Sequence, residues 1–355
     1  GAQKIIGSIA ELKKEAIRKI TGEIDLHKPW IDEIKLKCNE CGCEMTRISD
    51  VIDCWYDSGA ASFAQFHYPF ENKKEFDARF PYDFIAEAID QTRGWFYTLH
   101  VLATILFGKP AYENVICAGH IVDENGEKMS KSKGNIIKPR EIIDRAGVDA
   151  IRLQFCTSDA GNQKRFSFNL MKESVIPFLT ILHNLGNYHS QLENKKHRPR
   201  IEDRWILSRL NSLVQGVAAD LENYLISEAF LKIQDFVVND FSRNYVQMTR
   251  DREDTREIIS ECLEKVSLLL APFAPYMSEH IYSKLRKQSV HLSIWPKTDK
   301  KKIDKLLEKQ MENALKVIER GLAERDKSGI GLRWPLLEIR IFVKGKENYQ
   351  FFSCL

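Results

Sequence analysis

Two architectures follow one another along this sequence, an α/β segment and then an all-α one. Before residue 150, short runs of β-branched and aromatic residues alternate with helical patterns. From Leu170 to Lys327, apolar residues recur almost without a break at three-and-four spacing, with polar breaks such as ENKKHRPRIED between the runs. The prediction is an α/β domain followed by a helical bundle.

The elements follow in order. PYDFIAEAI reads as a strand, TRGWFYTLHVLATILFG as a helix and YENVICAGHIVD as a second strand, which is βαβ order. KPREIIDRAGVDAIRLQFC reads as helical turns, with Pro139 placed to start one, because its missing N–H costs nothing in a first turn. LHNLGNYHSQL, EDRWILSRLNSLVQGVAADLENYL, ISEAFLKIQDFVVNDFSRNYVQMTRDR and TREIISECLEKVSLLLAPFAPYMSEHIYSKL supply the bundle. PLLEIRIFV, from Pro335, reads as a strand opening a further small unit.

Composition bounds the function. The 355 residues are 43% hydrophobic and 29% charged, which suits two or three domains with sizeable cores and excludes a disordered chain. Net charge is +3, from 53 Lys and Arg against 50 Asp and Glu, so a nucleic-acid surface has to be a local patch. No apolar run reaches the roughly 18 residues of a spanning helix, and no signal pattern opens the chain, so the expectation is a cytoplasmic protein without a membrane partner. Eight cysteines are spread unevenly: Cys38, Cys41 and Cys43 cluster and the others are isolated, which reads as a reduced chain with one metal-like cluster.

Chemistry concentrates in GEKMSKSKGN, Gly126 to Asn135. Lys128, Lys131 and Lys133 repel one another unless an anion sits among them, and Gly126 and Gly134 leave the backbone free to move over a ligand. The spacing is not that of a Walker loop, so phosphate is held in another way. Glu87, Asp90 and Gln91 follow an apolar strand, where ligands of α/β sheets bind; an acidic residue before TRGWFYTLH is also a good helix cap. In KCNECGCEM, Cys38 and Cys41 have the two-residue spacing of a zinc knuckle and Gly42 permits its tight turn, giving half of a tetrahedral site. Within the chain, Cys43, Cys54 and His27 are the nearest further ligand types.

DVIDCWYDSGA (Asp50 to Ala60), FIAEAIDQTRGWFYTLH (Phe84 to His100) and KMSKSKGN together closely resemble the isoleucyl-tRNA synthetase family, of the archaeal and eukaryotic type. EDRWILSRL, NDFSRNYV, LAPFAPYMSEHIY and GLRWPL are similar to that family's anticodon-binding part, so the resemblance covers nearly the whole chain. It implies the second half of a class I, Rossmann-like catalytic domain over residues 1–150 with a zinc-knuckle insertion at 27–50. Connecting stem-contact helices would occupy 151–195, an anticodon-binding bundle 196–335 and the start of a C-terminal unit 336–355.

The implied reaction activates isoleucine with ATP and Mg2+ to isoleucyl-adenylate, and then transfers the acyl group to the 2′-hydroxyl of the terminal adenosine of tRNA(Ile). By resemblance Lys128 and Lys131 would neutralise charge on the α-phosphate and the departing pyrophosphate, with Met129, Ser130 and Ser132 in the same loop against the nucleotide. Glu87 would bind the substrate's amino side, and Asp90 and Gln91 the ribose and ammonium. Trp55 and Trp95 would wall the isoleucine side chain, with Asp57 in the same pocket. The family usually has Gly where this chain has Ala88, whose methyl would stand where the backbone approaches the adenylate.

In the bundle, Arg204, Arg209, Arg243, Arg250 and Arg252 fall among aromatics such as Trp205 and Tyr245, a combination suited to phosphate contact and base stacking. The His-x-Gly-His signature of class I synthetases and the editing domain are not in the sequence. The expectation is therefore a C-terminal portion that needs the missing N-terminal half to complete aminoacylation, of an enzyme monomeric when whole. Relatives carry a further Cys-x-x-Cys just upstream of the segment matching GAQKIIGSIAELKK, which implies the partners of Cys38 and Cys41. Two other readings are a non-catalytic tRNA-binding module and a fragment of a valine-specific synthetase.

Overall fold

The computed structural model describes residues 2–130, 132–331 and 333–336. Contacts divide the chain into two units, Gly1–Asp83 with Asp90–Asn114, and Phe84–Ile89 with Val115–Leu355. This line runs through the segment expected as one catalytic domain, because the strand pair of the βαβ element contributes to both units.

The first unit begins with α1 (Ile9–Glu15), whose Ser8 side chain accepts from the backbone N–H of Glu11 as an N-cap. A two-stranded antiparallel hairpin follows, β1 (Leu36–Lys37) with β2 (Glu44–Met45), Leu36 opposite Met45. Next come the short helices α2 (Cys54–Gly59) and α3 (Ala61–Ala64), then α4 (Lys73–Arg79). The strand β3 (Tyr82–Ala88) leads through a 3-10 turn, Ile89–Arg93, into α5 (Trp95–Phe107), and β4 (Tyr112–Ala118) returns beside β3. The βαβ order and the first strand match the sequence expectation, and the second strand starts at Tyr112 as expected but ends at Ala118. α5 stops at Gly108, which takes φ +68 and returns its N–H to the carbonyl of Thr104, the left-handed ending that glycine supplies without steric cost.

Aromatic rings make most of this unit's core. Phe76 stacks on Phe80 and on Tyr68, and Phe107 of α5 meets Phe63, Tyr68, Phe76 and Phe80. Gly59 is required where α2 crosses α5, since a Cβ there would stand 2.8 Å from Cβ of Thr98.

In the second unit, β5 (Ile121–Val122) runs parallel to β6 (Lys164–Arg165), and α6 (Pro139–Ala146) and α7 (Val148–Phe155) lie between them in sequence. Pro139 occupies the first turn of α6, as expected. The expected strand through Val122 is broken at Gly119, whose backbone lies so close to residue 162 that a Cβ would stand 2.3 Å from its carbonyl oxygen.

The bundle comprises α8 (Phe168–Glu173), α9 (Val175–Gln191), α10 (Ile201–Glu222), α11 (Ile226–Asp235), a π-helical stretch Phe236–Val246, α12 (Gln247–Thr249), α13 (Arg256–Leu270), α14 (Pro275–Arg286) and α15 (Lys305–Lys327). Its core is one continuous cluster containing Phe178, Trp205, Phe230, Phe236, Phe241 and Tyr245. The π stretch turns Phe236, Phe241 and Tyr245 inward at spacings of five and four, which its wider turn accommodates. Asp149 of α7 caps α14 from outside, accepting from the backbone N–H of Met277 at 2.7 Å. Most of PLLEIRIFV lies outside the described residues. Among the described residues no helix is long and apolar enough to cross a membrane.

Candidate active-site elements and nucleic-acid interface

In the first unit, the turn between β3 and α5 and the helix α2 bring Trp55, Gln91 and Trp95 together around Gly94. Asp53 begins α2 by accepting from the backbone N–H of Trp55 at 2.7 Å. Trp95 donates its indole N–H to the carbonyl of Ser58 at 3.0 Å, which fixes the ring against α2. Oε1 of Gln91 accepts from the backbone N–H of Trp95 at 2.9 Å, and its amide nitrogen donates to Asp90 at 3.1 Å. The cap of α5 is therefore Gln91 rather than the acidic Asp90, whose carboxylate stays exposed. Trp55 presents an exposed ring whose edge lies on the backbone of Gly94; a Cβ there would be 3.1 Å from its Cη2 and 2.8 Å from Oε1 of Gln91. Asp57 is exposed on α2. The result is an apolar wall of two indoles beside an exposed carboxylate and an amide held in place.

Elsewhere in this unit, a cavity of about 1010 Å³ is lined by apolar residues including Ile5, Ile9, Leu26, Leu36, Ile48 and Phe70. Asp50, Val51 and Ile52 border it, but none of the candidate site residues Trp55, Asp57, Glu87, Asp90, Gln91, Trp95, Cys38 or Cys41 lines it, so its size is no guide to the chemistry.

The cysteine hairpin folds as its spacing predicts. The N–H of Cys38 reaches the carbonyl of Cys43 at 2.8 Å, that of Gly42 returns to Cys38 at 3.0 Å, and Gly42 takes φ +70. Cys38 is buried, and Cys41 and Cys43 are exposed. His27 is taken up by Asp25, 2.7 Å from its Nδ1. Among the described residues no group of three or more His, Cys, Asp or Glu is placed to hold a metal, so the residues present fit half of a zinc site and no more.

In the second unit, Glu87 is exposed near the end of β3, and Ala88 follows half-buried. The lysine loop is held in a specific shape. Asp123 accepts from the backbone N–H groups of Asn125 and Glu127 at 3.0 and 2.8 Å and from the Asn135 side chain at 2.9 Å. The hydrogen bond from Asn135, with those two N–H groups, holds the Asp123 carboxyl below the usual aspartate range. Asn135 also accepts from the backbone N–H of Ser130 at 2.9 Å and donates to the carbonyl of Lys128 at 3.3 Å, joining the two ends of the loop. Ser130 and Ser132 share a hydrogen bond at 3.1 Å, and Met129 packs on the bundle core. The three lysines are not alike. Lys133 is paired with Glu127 at 2.8 Å, a partner that raises its pKa, whereas Lys128 is exposed and in none of the ion pairs among the described residues. Lys131 lies outside the described residues. The spacing of the lysines announces the loop; Asp123 and Asn135, which shape it, carry no comparable signal.

The bundle corrects part of the expected RNA surface. Trp205 and Tyr245 are buried, 2% and 0% exposed, and offer no face to a base. Tyr245 instead donates to Asp203 at 2.7 Å. Arg252 is buried among carboxylates, 2.7 Å from Glu202, 2.9 Å from Asp203 and 3.1 Å from Asp254. Arg209 is half-buried against Asp240 at 2.8 Å. Those four residues build the bundle; their charge or ring area is spent on neighbours. Arg204, Arg243 and Arg250 are exposed, Arg204 and Arg250 with only long contacts, 3.5 Å to Asp304 and 3.7 Å to Asp251.

Comparison with known proteins matches these elements in order. Residues 2–167 match the family model of tRNA synthetases class I (I, L, M and V), and residues 203–341 match the anticodon-binding domain of tRNA ligase. Isoleucine–tRNA ligase of Clostridium tetani is 42% identical over 98% of this chain and 36% of its own length, and that of Dehalococcoides mccartyi (strain CBDB1) 41% over 96% and 37%. That of Thermus thermophilus is 40% identical over 95% and 35%. Among solved structures, the ternary complex of Agrobacterium radiobacter K84 agnB2 LeuRS with tRNA and LeuAMS shares the fold, with a TM-score of 0.63 at 20% identity over 78% of this chain and 36% of that one. The chain spans little more than a third of the curated relatives it matches. With the lysine loop, the paired indoles and the bundle placed as described, the chain belongs to the class I tRNA synthetases, in the isoleucine–tRNA ligase family.

Proposed function

We propose that this chain carries the C-terminal part of an isoleucine–tRNA ligase, acting in ATP-dependent formation of isoleucyl-adenylate and transfer of the acyl group to tRNA(Ile), together with the remaining portion of the synthetase. The observation that carries the reading is the loop held by Asp123 and Asn135, with Lys128 in none of the ion pairs among the described residues, in a chain 42% identical to an isoleucine–tRNA ligase. Lys128 and Lys131 approach the phosphates and neutralise charge as it builds on the α-phosphate and pyrophosphate, a stabilisation needed more in the transition state than before it. Mg2+ accompanies the ATP. Asp90 is an exposed carboxylate for the ammonium or ribose, and Glu87 receives the amino side. Gln91 positions the first turn of α5, so that Trp95 and Trp55 present flat apolar faces to a branched aliphatic side chain. Both steps depend on holding reactants in register, so small displacements of these side chains cost rate.

The division proposed is catalytic to about residue 150 with the knuckle at 27–50, stem-contact helices to 195, and an anticodon-binding bundle to 335. Arg204, Arg243 and Arg250 are the arginines left to meet tRNA phosphates. Cys38 and Cys41 supply two thiolates of a zinc site; bound zinc pins the hairpin.

The test is isoleucine-dependent exchange of pyrophosphate into ATP, with the rest of the synthetase supplied in trans. Exchange with isoleucine far above that with valine supports the reading. Exchange with valine alone, or tRNA binding with no exchange under any amino acid, replaces it with one of the two other readings.

A further inference from the structure

A second cationic cluster lies on a seam of the bundle, with His189 buried, His183 and Arg256 half-buried and His280 and Lys284 exposed, and its lining includes neither the lysine loop nor Arg204, Arg243 or Arg250. On α9, His183, Gly186, His189 and Ser190 fall on one face. On α14, His280 and Lys284 are one turn apart, and Arg256 begins α13. The helices approach closely at Gly186, where a Cβ would stand 3.6 Å from Cγ1 of Ile281. Between them is a cavity of about 120 Å³, lined by those side chains with Leu263, Ile281 and Leu285. That is several times the roughly 30 Å³ one water molecule occupies in the liquid, enough for a tetrahedral oxyanion.

Its chemistry is one-sided. No Asp or Glu is among the lining residues. Of the acids on nearby segments, Glu264 is engaged with Arg286, Glu279 with Ser289 and the N–H of Val290, Glu253 with Lys195, and Asp254 with Arg252, while Glu257, next to Arg256, is exposed and outside the cavity lining. Arg256 spends one nitrogen on the carbonyl of Leu192. His183 and His280 stack with centroids 5.5 Å apart, and Lys284 stands 2.9 Å from Nε2 of His280. His189 is 9% exposed, and no side-chain hydrogen bond satisfies it among the described contacts. Burial, then the neighbouring cations, hold His189 and His280 below the usual histidine range.

Cations and neutral imidazoles gathered without a counter-charge are stable when an anion supplies it. We propose that this seam between α9, α13 and α14 is a phosphate-binding pocket, taking either free inorganic phosphate or a phosphate of a nucleic-acid backbone, with Arg256, Lys284, His183, His189 and His280 as its donors. The assignment uses neither the lysine loop nor aminoacylation, so it stands or falls separately from the proposed function.

The experiment is titration of the whole chain with sodium phosphate, against sodium chloride at matched ionic strength, following histidine ring signals by NMR, assigned through the single variants His183→Gln, His189→Gln and His280→Gln. Saturable shifts at His183, His189 and His280, with upward movement of their titration midpoints and no such change at surface His27, support the pocket. Lys284→Met, checked for unchanged circular dichroism and melting temperature, should weaken phosphate at least tenfold. A short RNA duplex that displaces phosphate makes the source a nucleic-acid backbone; one that leaves it bound makes it free phosphate, and both uphold the pocket. Shifts that are linear in phosphate, or equal to those of His27, or unchanged by Lys284→Met, overturn it.

Discussion

Trp55 rests its indole edge on the main chain of Gly94, where a Cβ would come within 3.1 Å of Cη2 and within 2.8 Å of Oε1 of Gln91. Gly94→Ala has to move either the ring or the amide that caps α5. Losing that cap and repacking the indole should cost about 1–3 kcal/mol. Urea unfolding followed by tryptophan fluorescence measures it, and in the reconstituted enzyme the KM for isoleucine should rise more than that for ATP. An unchanged unfolding midpoint together with an unchanged KM for isoleucine would remove Gly94 from the pocket.

The lysines of the loop should separate in kinetics. Lys128→Ala and Lys131→Ala are expected to slow pyrophosphate exchange by about 10²–10³-fold with tRNA affinity nearly unchanged, the size of one lost transition-state donor. Lys133, already paired with Glu127, should cost tenfold or less on the same substitution. A Lys133 effect equal to that of Lys131 would show that the crowding of three charges, rather than individual placement, matters.

The periodicity of the bundle, the start of α6 at Pro139 and the βαβ order were legible, because each is a local pattern that burial then enforces. The lysine loop was legible because like charges at close spacing need a reason. What stayed hidden depends on partners far along the chain. Arg252 looks in sequence like any arginine beside aromatics, and only the fold brings Asp203, 49 residues earlier, within 2.9 Å. Asp123 and Asn135, twelve residues apart, reveal their joint hold on the loop only when the chain turns back. Gly94 has no side chain to draw notice, and its requirement comes from a ring in another helix.

The Arg252 cluster gives a stability prediction with a pH sign. The Arg252 hydrogen bond holds the Asp254 carboxyl down to about 2, against an ordinary aspartate near ~4. A depressed carboxyl stabilises the fold at pH values above its unfolded pKa, and that contribution is lost as pH falls through the folded one. Arg252→Met removes the partner of three carboxylates and should destabilise the bundle by about 3–5 kcal/mol at pH 7. The variant should also lose less stability than the parent between roughly pH 4 and 2. Equal acid sensitivity in both proteins would show that the pair does not set it.

Exposed and buried arginines should part company in RNA binding. Arg243→Ala and Arg250→Ala, on the surface, should leave the melting temperature within a degree or two and weaken tRNA uniformly, each reducing the salt slope by about one. Trp205→Ala should act through the fold, costing about 3–5 kcal/mol as a buried aromatic truncation. Filter binding across a salt series, paired with thermal melts, separates the two classes. Loss of tRNA binding in a fully folded Trp205→Ala protein would restore the stacking role that its burial rules out.

The cysteine hairpin carries the last prediction. The bonds of Cys38 and Gly42 shape a turn that offers two thiols, Cys38 buried and Cys41 exposed, which is half of a tetrahedral set. Two thiolates hold zinc far more weakly than four, and binding must release their protons, so affinity should rise with pH. Titration with cobalt as a spectroscopic stand-in should give thiolate charge-transfer absorption of two-sulfur intensity, lost in Cys38→Ser and in Cys41→Ser. Cys54→Ser, in α2, should leave it intact. Adding upstream the further Cys-x-x-Cys that the family resemblance implies should convert this into one zinc that survives dialysis. A lengthened protein free of metal by elemental analysis, or one whose zinc content ignores Cys38→Ser, would leave the hairpin as two ordinary thiols in a turn.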